Sequence, residues 1–577
     1  MKRDERRGVG MDRRDFLKGA ALVGGVAATA GLAGCTTGGD GDTGGGGKAE
    51  GFDAAAAKYP ALKNGSREID WLGAPPDVTV DDCVETVDGY DVVVIGTAVA
   101  GELAGFSALR EGAKVVMLER NGTAHVSGSG IGFINSKFQL DAGQEPFDEY
   151  EVIQRLFTQC QGRADLSFIS QWAFNSGAVL DEIEQVVLGP GGCPGTPQVA
   201  PPHVGQEQEI MQNITSFVNF NDQGEDSLEN MNFCIHDWIE ANGGRIDYNT
   251  TGRVLTQAAD GRVTGVIATN PAGEYVYYPA AKGVIVCTGS YGGNEEMMEA
   301  FAPPWQAYYA KNYGVYNARV SERTPITTSE KMDDGTGHKM MCWAGAAMEE
   351  IDPSFQSWEG TGFWWFPYLQ VTCKGERFRN ESCTWLQHTH LIAERPEGVN
   401  YYWQIVPTND FDMPNYMGFP FSSKDREKGL QEGGETEWHE ADTIEELAKK
   451  IGAEPDVLVA TVERYNKVCA AGFDADWGKL PKYLDPIVGA PYKAYKATIN
   501  FYCTSGGVKC NSRLQVLDKD WQPIEGLFAA GNTVGWRLGS NYPMLIPGMC
   551  NAYAFFHGYV AGKAACNPGW VIDDLKK

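Results

Sequence analysis

The chain has 577 residues, 43% of them hydrophobic, which allows two or three domains with large cores and excludes an intrinsically disordered protein. Its formal net charge of −28 argues against a nucleic-acid partner, because so acidic a surface repels phosphate backbones. The 14 cysteines form no CxxC pair and no CxxCH haem-attachment site. We therefore expect mostly buried thiols and no metal site, with an iron–sulfur cluster of dispersed cysteines left open.

Residues 1–35 are predicted to be an export signal. Arg13 and Arg14 precede an uncharged stretch of small residues, 19–34, which is too short and too rich in glycine and alanine for a stable membrane span. The paired arginines resemble the twin-arginine (Tat) export signal. Cys35 ends a stretch that resembles a lipobox, which implies a lipid anchor on this cysteine. We expect a cell-envelope lipoprotein on the extracytoplasmic face of a bacterial membrane.

A strand, a glycine turn, a helix and a second strand follow one another within residues 90–120. The largely β-branched run 91–95 predicts a buried strand, a helical segment extends to Arg110, and 114–118 predicts the second strand. The N–H groups of such a turn bind pyrophosphate, and the acid after the second strand accepts ribose hydroxyls. The usual middle glycine of the motif is replaced by alanine. The predicted nucleotide ligands are Gly96, Ala98, Gly101 and Glu119.

Later segments repeat the pattern of a buried strand that runs into a glycine turn. They are GVIVCTGSYGGN at 283–294 and PIEGLFAAGNTVG at 523–535. Between them, residues 331–348 begin with glycine and small residues and continue with an apolar face of period near four, which predicts a helix beside the cleft. Together with 260–268, 373–382 and 441–466, these motifs resemble FAD-dependent flavoproteins of the fumarate reductase and 3-ketosteroid dehydrogenase superfamily.

The resemblance covers residues 89–565 and implies an α/β fold. A Rossmann-like FAD-binding domain of the glutathione-reductase-like type would carry an inserted α+β catalytic or capping domain, with FAD in the crevice between them. The implied boundaries are 36–88 for a flexible linker and N-terminal extension, 89–299 and 498–577 for the FAD-binding domain, and 300–497 for the capping domain. The further cofactor contacts implied by the family are Arg120, Ser127, Gly289, Gly507, Gly531, Asn532 and Ile546.

Two substrate-site positions of the fumarate reductases are changed in this chain. The family's arginine proton donor follows the Arg-Phe-x-Asn-Glu stretch, here 377–381, and its position falls on Trp385. The family's histidine before the Thr-x-Gly-Gly turn is replaced by Cys503, which follows Tyr502. Arg537 still stands where the family's C-terminal clamp arginine would be, so a carboxylate substrate stays open.

The steroid-dehydrogenase pattern fits the C-terminal region better. In that family a tyrosine hydroxyl and a glycine N–H hold the substrate ketone oxygen, and Tyr542 and Gly548 stand in these places. Two donors aimed at this oxygen stabilise the enolate that forms during hydride exchange. The family's tyrosine for the second proton falls on Trp385, so another proton relay is required. The candidates are Tyr368, His388 and His390.

The expected function is reduction of a carbon–carbon double bond conjugated to a carbonyl. The aromatic stretch 363–368 follows glycines without helical or strand periodicity, which suggests that some rings line a cleft for a flat apolar molecule such as a ketosteroid. Electrons would come from a separate donor protein or a quinol or cytochrome carrier. The alternatives are a 3-ketosteroid dehydrogenase, a reductase of fumarate or another unsaturated acid, and a non-catalytic FAD lipoprotein that transfers electrons.

Overall fold

The computed structural model describes residues 62–64, 67–124, 131–141, 143, 145–188, 227–301, 333–349, 355–359, 361–363, 366–383, 391–392, 395, 397, 399–415, 422–434, 436–539, 541–543, 546 and 548–572. Several predictions from the sequence fall outside these residues. They concern the export signal with Cys35, and the side chains Ser127, Trp385, His388 and His390.

The strands and helices that the structure describes are numbered here in chain order. The strands are β1 (Leu62–Asn64), β2 (Arg67–Ile69), β3 (Glu85–Thr86), β4 (Val92–Ile95), β5 (Val115–Leu118), β6 (Arg245–Asp247), β7 (Thr251–Gln257), β8 (Val263–Thr269), β9 (Tyr275–Pro279), β10 (Gly283–Val286), β11 (Phe355–Glu359), β12 (Leu369–Val371), β13 (Tyr401–Val406), β14 (Trp438–Ala441), β15 (Tyr492–Thr504), β16 (Gln515–Leu517) and β17 (Pro523–Ala529). The α-helices are α1 (Val99–Arg110), α2 (Lys137–Asp141), α3 (Glu149–Gln159), α4 (Leu166–Ile183), α5 (Ser227–Ala241), α6 (Glu295–Phe301), α7 (Thr336–Trp343), α8 (Ser423–Gly433), α9 (Ile444–Ile451), α10 (Pro455–Ala471) and α11 (Met549–Cys566).

The sheet that positions the cleft has, within the described residues, six strands in the order β16-β17-β10-β4-β5-β6. Five of these strands are parallel, and β16 pairs antiparallel with β17 at the edge. Val92 of β4 lies beside Val115 of β5 on one side and Gly283 of β10 on the other. The central strands are fully buried, because helices α1 and α11 and strand β8 of a second sheet pack against them. Their carboxyl ends therefore meet at one edge.

The described residues form two other large sheets, of which the first packs on the six-stranded sheet through β8. One has the order β3-β9-β8-β7, with β7, β8 and β9 antiparallel. The other has the order β11-β15-β13-β12, and β14 also pairs with β15. The long strand β15 leaves this last sheet at Thr504, directly before the turn at 504–507, so one strand connects it to the region of the cleft.

Helix α1 packs closely against the C-terminal helix α11. A Cβ atom on Gly558 would lie 2.1 Å from the backbone oxygen of Ala100, and one on Gly562 would lie 2.4 Å from that of Ala104. Glycine is thus required at both positions for the two backbones to approach. The contact fixes the first turn of α1, which lies at the cleft, against the chain's C-terminal region.

A second core lies between strands β12 and β13 and the helix pair α9 and α10. Beside it, Arg377 donates two hydrogen bonds to Glu381, at 2.8 and 2.7 Å, and one of 2.8 Å to Asp474. The Nζ atom of Lys479 lies 3.6 Å from Glu381 and donates to the hydroxyl of Tyr465 at 2.7 Å. We call Arg377, Glu381, Asp474 and Lys479 the charge network. It anchors the Arg-Phe-x-Asn-Glu stretch.

Among the described residues, no helix has both the length and the apolar character needed to cross a membrane. The same residues contain no cluster of three or more histidine, cysteine, aspartate or glutamate side chains placed to hold a metal ion.

Candidate cofactor and active site

A cleft lies at the carboxyl edge of the six-stranded sheet. Its wall consists mainly of residues that follow β4, β5, β10 and β17, namely 96–100, 119–121, 287–289 and 530–532. Because neighbouring strands are about 4.8 Å apart, this wall crosses three spacings from β5 to β17, or roughly 14 Å. The cleft therefore suits an extended ligand that lies across the strand ends.

The glycine turn after β4 brings backbone to the cleft. Gly96 has a φ of +99°, and a Cβ atom there would lie 2.4 Å from the backbone oxygen of Cys287. A Cβ atom on Gly101 would lie 1.9 Å from the oxygen of Gly96. Ala98 is the N-cap of α1 and gives no side-chain cap, so the N–H groups of the first turn are left for a ligand. The turn has the shape and the positive helix end that a pyrophosphate requires.

Glu119 lies at the β5 end of the cleft and is nearly buried. Its Oε2 accepts hydrogen bonds from the N–H and the hydroxyl of Thr97, at 3.2 and 2.6 Å. Its Oε1 accepts from the N–H and the side-chain amide of Asn121, at 2.8 and 2.9 Å. These bonds fix the orientation of the carboxylate and use the lone pairs of both oxygens, so a ribose hydroxyl would take the place of one of these donors.

Arg120 and Gly289 also line the cleft. Arg120 forms an ion pair of 3.0 Å with Asp334, just before helix α7. Gly289 has a φ of +81°, and a Cβ atom there would lie 2.7 Å from Oδ1 of Asp333. The helix predicted within 331–348 is observed as Thr336–Trp343, and its first turn lines the cleft.

Near the β17 end, Gly531 and Asn532 form part of the wall, with Gly531 at a φ of +74°. Gly507 is buried behind them, and a Cβ atom there would lie 1.9 Å from the oxygen of Thr533. The N–H of Gly507 donates a 3.0 Å hydrogen bond to the carboxyl of Glu349, which also accepts from the N–H of Trp536 at 2.8 Å. Gly507 thus helps to hold the wall together.

Behind this end of the cleft lies a group of side chains that we call the thiol cluster: Cys503, Ser505, Arg537, Tyr542 and Cys550. Cys503 is half-buried and lines the cleft, and its sulfur lies 4.0 Å from that of Cys550. The hydroxyl of Ser505 lies 3.2 Å from the same Cys550 sulfur. Cys550 is the second residue of α11, so its sulfur lies at the positive end of an 18-residue helix.

Arg537 is completely buried, one layer behind the cleft wall. Its Nη1 donates to the backbone oxygen of Cys550 at 3.4 Å, and its Nη2 donates to the amide oxygen of Asn532 and, at 3.7 Å, to the sulfur of Cys550. Its Nε atom has no hydrogen-bond partner. The guanidinium therefore connects Asn532 in the wall to Cys550, and its Nε–H group has no acceptor.

Tyr542 is buried, and its hydroxyl oxygen accepts the N–H of Cys550 at 3.1 Å. Burial raises the pKa of Tyr542 well above its usual value, so the hydroxyl keeps its proton. Gly548, with a φ of +77°, is the N-cap of α11, and Ile546 is buried beside this turn. Tyr542 and Gly548 thus meet at the N-terminus of one helix.

The two thiols of the cluster differ in acidity. The hydrogen bond from Cys503, together with Arg537 and Ser505 and against the effect of burial, lowers the pKa of Cys550 to about 6. The same hydrogen bond, followed by burial, raises the pKa of Cys503 well above its usual value. Both shifts favour negative charge on Cys550 and retention of the proton on Cys503.

Tyr368 lies away from this cleft wall. It is buried against Phe363, with ring centroids 4.8 Å apart, and its hydroxyl bonds Ser423 at the start of α8. Phe363 and Phe366 are also fully buried. The described rings of the aromatic stretch are thus core residues, and none of them is among the residues that line the cleft.

The sequence analysis names Cys503, Arg537 and Tyr542, but it misses Cys550 and Ser505, which complete the thiol cluster. Cys550 lies 47 residues beyond Cys503 in the chain and in another element. A thiol at the second position of a predicted helix, next to a glycine cap, is the signal that could have drawn attention to it.

Comparisons with known proteins agree with this geometry. Residues 91–544 match the family described as FAD binding domain, and residues 10–30 match the twin-arginine translocation pathway signal sequence, which indicates export across the cytoplasmic membrane. A vinyl phenol reductase of Lactiplantibacillus plantarum is 26% identical over 83% of this chain and 96% of its own. A urocanate reductase of Eggerthella lenta is 26% identical over 89% of this chain and 79% of its own.

Solved structures support the same fold. A 3-ketosteroid-Δ4-(5α)-dehydrogenase from Rhodococcus jostii RHA1, in complex with 4-androstene-3,17-dione, superposes with a TM-score of 0.64 at 22% identity and covers 85% of this chain and 99% of its own. The predicted fold class is confirmed, and FAD is the cofactor. The glycine turns, the free helix N-terminus and Glu119 fit that cofactor.

Proposed function

From the premise that the chain belongs to the FAD binding domain family, we propose that it reduces a carbon–carbon double bond conjugated to a carbonyl group. Family membership makes it an FAD-dependent oxidoreductase acting on CH–CH groups, and its signal sequence makes it an exported one. To this, the proposal adds that the reaction runs as a reduction, that a carbonyl group activates the double bond, and which residues hold the carbonyl oxygen.

One observation carries this proposal: the hydroxyl of Tyr542 meets the first turn of α11 at the N–H of Cys550, two residues after the cap residue Gly548. Because this hydroxyl accepts the N–H of Cys550, its own hydrogen is available to another acceptor. A phenol donor and a helix N-terminus at one point suit an oxygen that gains negative charge.

The chemistry follows from this arrangement. Reduced FAD, when bound, supplies a hydride to the carbon β to the carbonyl. Negative charge then develops on the carbonyl oxygen, and Tyr542 and the N–H of Gly548 are the donors proposed to hold it. Loss of one such donor typically raises the barrier by about 3–4 kcal/mol.

A flat apolar substrate is the form we favour. Two relatives are named as reductases, of vinyl phenol and of urocanate, and a structural neighbour is a 3-ketosteroid dehydrogenase with a bound androstenedione. A ketosteroid or a similar enone would combine the activating carbonyl with a planar conjugated system. A dehydrogenase would use the same donors in the opposite direction.

A small unsaturated acid is the second candidate, and the unpartnered Nε atom of buried Arg537 favours it. A substrate carboxylate that reached this atom would find a charge-assisted donor. Asn532 and Cys550 already engage the other nitrogens of the guanidinium, so the carboxylate would have to displace them for a bidentate contact.

The test is anaerobic reoxidation of the reduced flavin. The purified enzyme with FAD is reduced with dithionite, and an enone steroid, a cinnamate-type acid or fumarate is then added while the flavin absorbance is followed. We expect fast reoxidation by the enone and a loss of about two orders of magnitude in Tyr542→Phe. Tyr559→Phe is the matched control, because Tyr559 is a buried tyrosine of helix α11 whose hydroxyl bonds Glu182 instead.

Each outcome separates the candidates. If only fumarate reoxidised the flavin, and Arg537→Met abolished this reaction, the substrate would be an unsaturated acid and not an enone. A native flavin that no unsaturated compound reoxidises would indicate a non-catalytic electron carrier. Unchanged rates in Tyr542→Phe would remove the tyrosine from the site.

The location and electron source complete the proposal. We place the enzyme on the extracytoplasmic face of the membrane through a lipid on Cys35, with electrons from a separate donor protein or a quinol or cytochrome carrier. Replacement of Cys35 by alanine should release the protein from the membrane fraction without changing dithionite-driven turnover. A variant that stays in that fraction would contradict the anchor.

A further inference from the structure

The proposed reduction needs a proton for the substrate carbon α to the carbonyl. The family's donor position falls on Trp385, whose indole is not an acid at neutral pH, and Tyr368 bonds Ser423 away from the cleft wall. The thiol cluster, in contrast, places a titratable side chain in that wall, because Cys503 lines the cleft.

The position of Cys503 relative to the cofactor follows from the strand order. Glu119 follows β5 at one end of the wall, and Asn532 follows β17 at the other. If the ribose lies at Glu119, the flavin half of FAD extends toward Asn532. Arg537 bonds both Asn532 and Cys550, and Cys550 contacts Cys503 at 4.0 Å, so the thiol of Cys503 belongs to the flavin end.

The surroundings keep one proton on this pair. The guanidinium of Arg537, the hydroxyl of Ser505 and the N-terminus of α11 all favour negative charge on Cys550. Two thiolates at 4.0 Å would repel each other, so the second proton is retained. It lies on Cys503, the member of the pair that faces the cleft.

We propose that the Cys503 thiol protonates the α carbon of the substrate, and that Cys550 and Arg537 position this thiol. The inference rests on the proposed function. After hydride addition at the β carbon, the former π electron pair forms the new bond from the α carbon to the proton of Cys503. The electrons of the S–H bond stay on sulfur, and water returns the proton to the thiolate. The substrate gains one hydride and one proton, and sulfur is neither oxidised nor reduced.

The kinetic test compares Cys503→Ala with the native enzyme and with Cys373→Ala. Cys373 is also half-buried but lies in a turn of another sheet, so it controls for the loss of a thiol. With FAD bound and reduced, we expect Cys503→Ala to slow reoxidation by the enone about 100-fold, within the usual range for general acids. Substrate affinity, measured with the oxidised enzyme, should stay close to the native value, and Cys373→Ala should behave as native.

A second measurement does not depend on turnover. Cysteine labelled with carbon-13 at Cβ reports the ionisation of each thiol by NMR, and Cys503→Ala and Cys550→Ala assign the two signals. Cys550 should titrate at about pH 6 in the native holoenzyme. In Cys503→Ala this titration should move to higher pH, because the hydrogen bond from the neighbouring thiol is gone.

The outcomes distinguish this inference from the proposed function. A native flavin that no unsaturated compound reoxidises defeats the proposed function, and the role of Cys503 with it. A native enzyme that turns over an enone while Cys503→Ala does so at a similar rate defeats the thiol donor alone. An unchanged Cys550 titration in Cys503→Ala would show that the two thiols do not share a proton, which would also overturn it.

Discussion

The charge network and the thiol cluster are two buried polar regions that balance charge in different ways. In the charge network, two cations face two carboxylates, and Arg377 reaches Glu381 and Asp474 at 2.7–2.8 Å. In the thiol cluster, the guanidinium of Arg537 instead contacts an amide oxygen, a backbone carbonyl and a sulfur.

The difference separates a structural use of buried charge from a functional one. Opposite charges at short distance hold a segment in place, and losing one partner leaves the other uncompensated. A cation that faces weak acceptors and an ionisable thiol leaves reactive groups available to a ligand or a proton. The Arg-Phe-x-Asn-Glu stretch, which served as a landmark for catalysis in the sequence, therefore acts here as an anchor.

The largest expected effect comes from breaking the charge network. Glu381→Gln leaves two buried cations opposite Asp474 alone, and we expect the free energy of unfolding to fall by about 3–5 kcal/mol. Chemical denaturation of the holoenzyme measures this loss. Glu445→Gln, at an exposed position of α9, is the control and should be nearly neutral. A loss below about 1 kcal/mol in Glu381→Gln would mean that the network contributes no more than a surface pair.

A smaller effect is expected from Arg537→Met in the thiol cluster. Removing the guanidinium should move the pKa of Cys550 from about 6 toward the ordinary thiol value of about 8.5. The pH dependence of the carbon-13 signal of Cys550 measures the shift. Cys550 titrating as in the native enzyme would show that Cys503, Ser505 and the helix N-terminus suffice to lower its pKa.

Local motifs made much of the cofactor cleft predictable. The first nucleotide-binding strand was expected at 91–95 and is observed as Val92–Ile95, and the helix ends at Arg110 as expected. Such elements depend on side chains close in sequence: β-branched runs, a glycine turn and the acid that follows. Fold class and cofactor could be predicted for this reason.

The thiol cluster could not be predicted in the same way, because it joins elements that are distant in sequence. Cys503 is the penultimate residue of strand β15, and Cys550 is the second residue of helix α11, so their contact depends on how these two elements pack. The partner of Glu381 across the charge network, Asp474, is equally remote in the chain. Tyr368 was proposed as a proton donor from its position among aromatic residues, and only its packing against Phe363 reveals a core position.

The effect expected to be smallest per pH unit concerns the pH dependence of stability, where the two regions differ in sign. Against burial, which raises it, the hydrogen bond from Arg377 lowers the pKa of Asp474 to about 2, so its contribution to stability is present at neutral pH and lost as pH falls toward 2. Burial raises the pKa of Glu349, beside the thiol cluster, to about 8, although two backbone N–H groups oppose the shift.

The contribution of Glu349 is therefore complete below its ordinary pKa of 4.5 and is lost as pH rises through about 8. A single proton that is bound in the folded state but not in the unfolded state changes the free energy of unfolding by at most about 1.4 kcal/mol per pH unit. We expect Glu349→Gln to flatten the decline in stability between about pH 5 and pH 8, whereas Glu525→Gln, at an exposed position of β17, should keep the native slope. If Glu349→Gln had the same pH slope of unfolding free energy as the native enzyme, the carboxyl of Glu349 would be ionised in the folded enzyme. The cleft wall at Gly507 and Trp536 would then hold a buried anion beside Arg537.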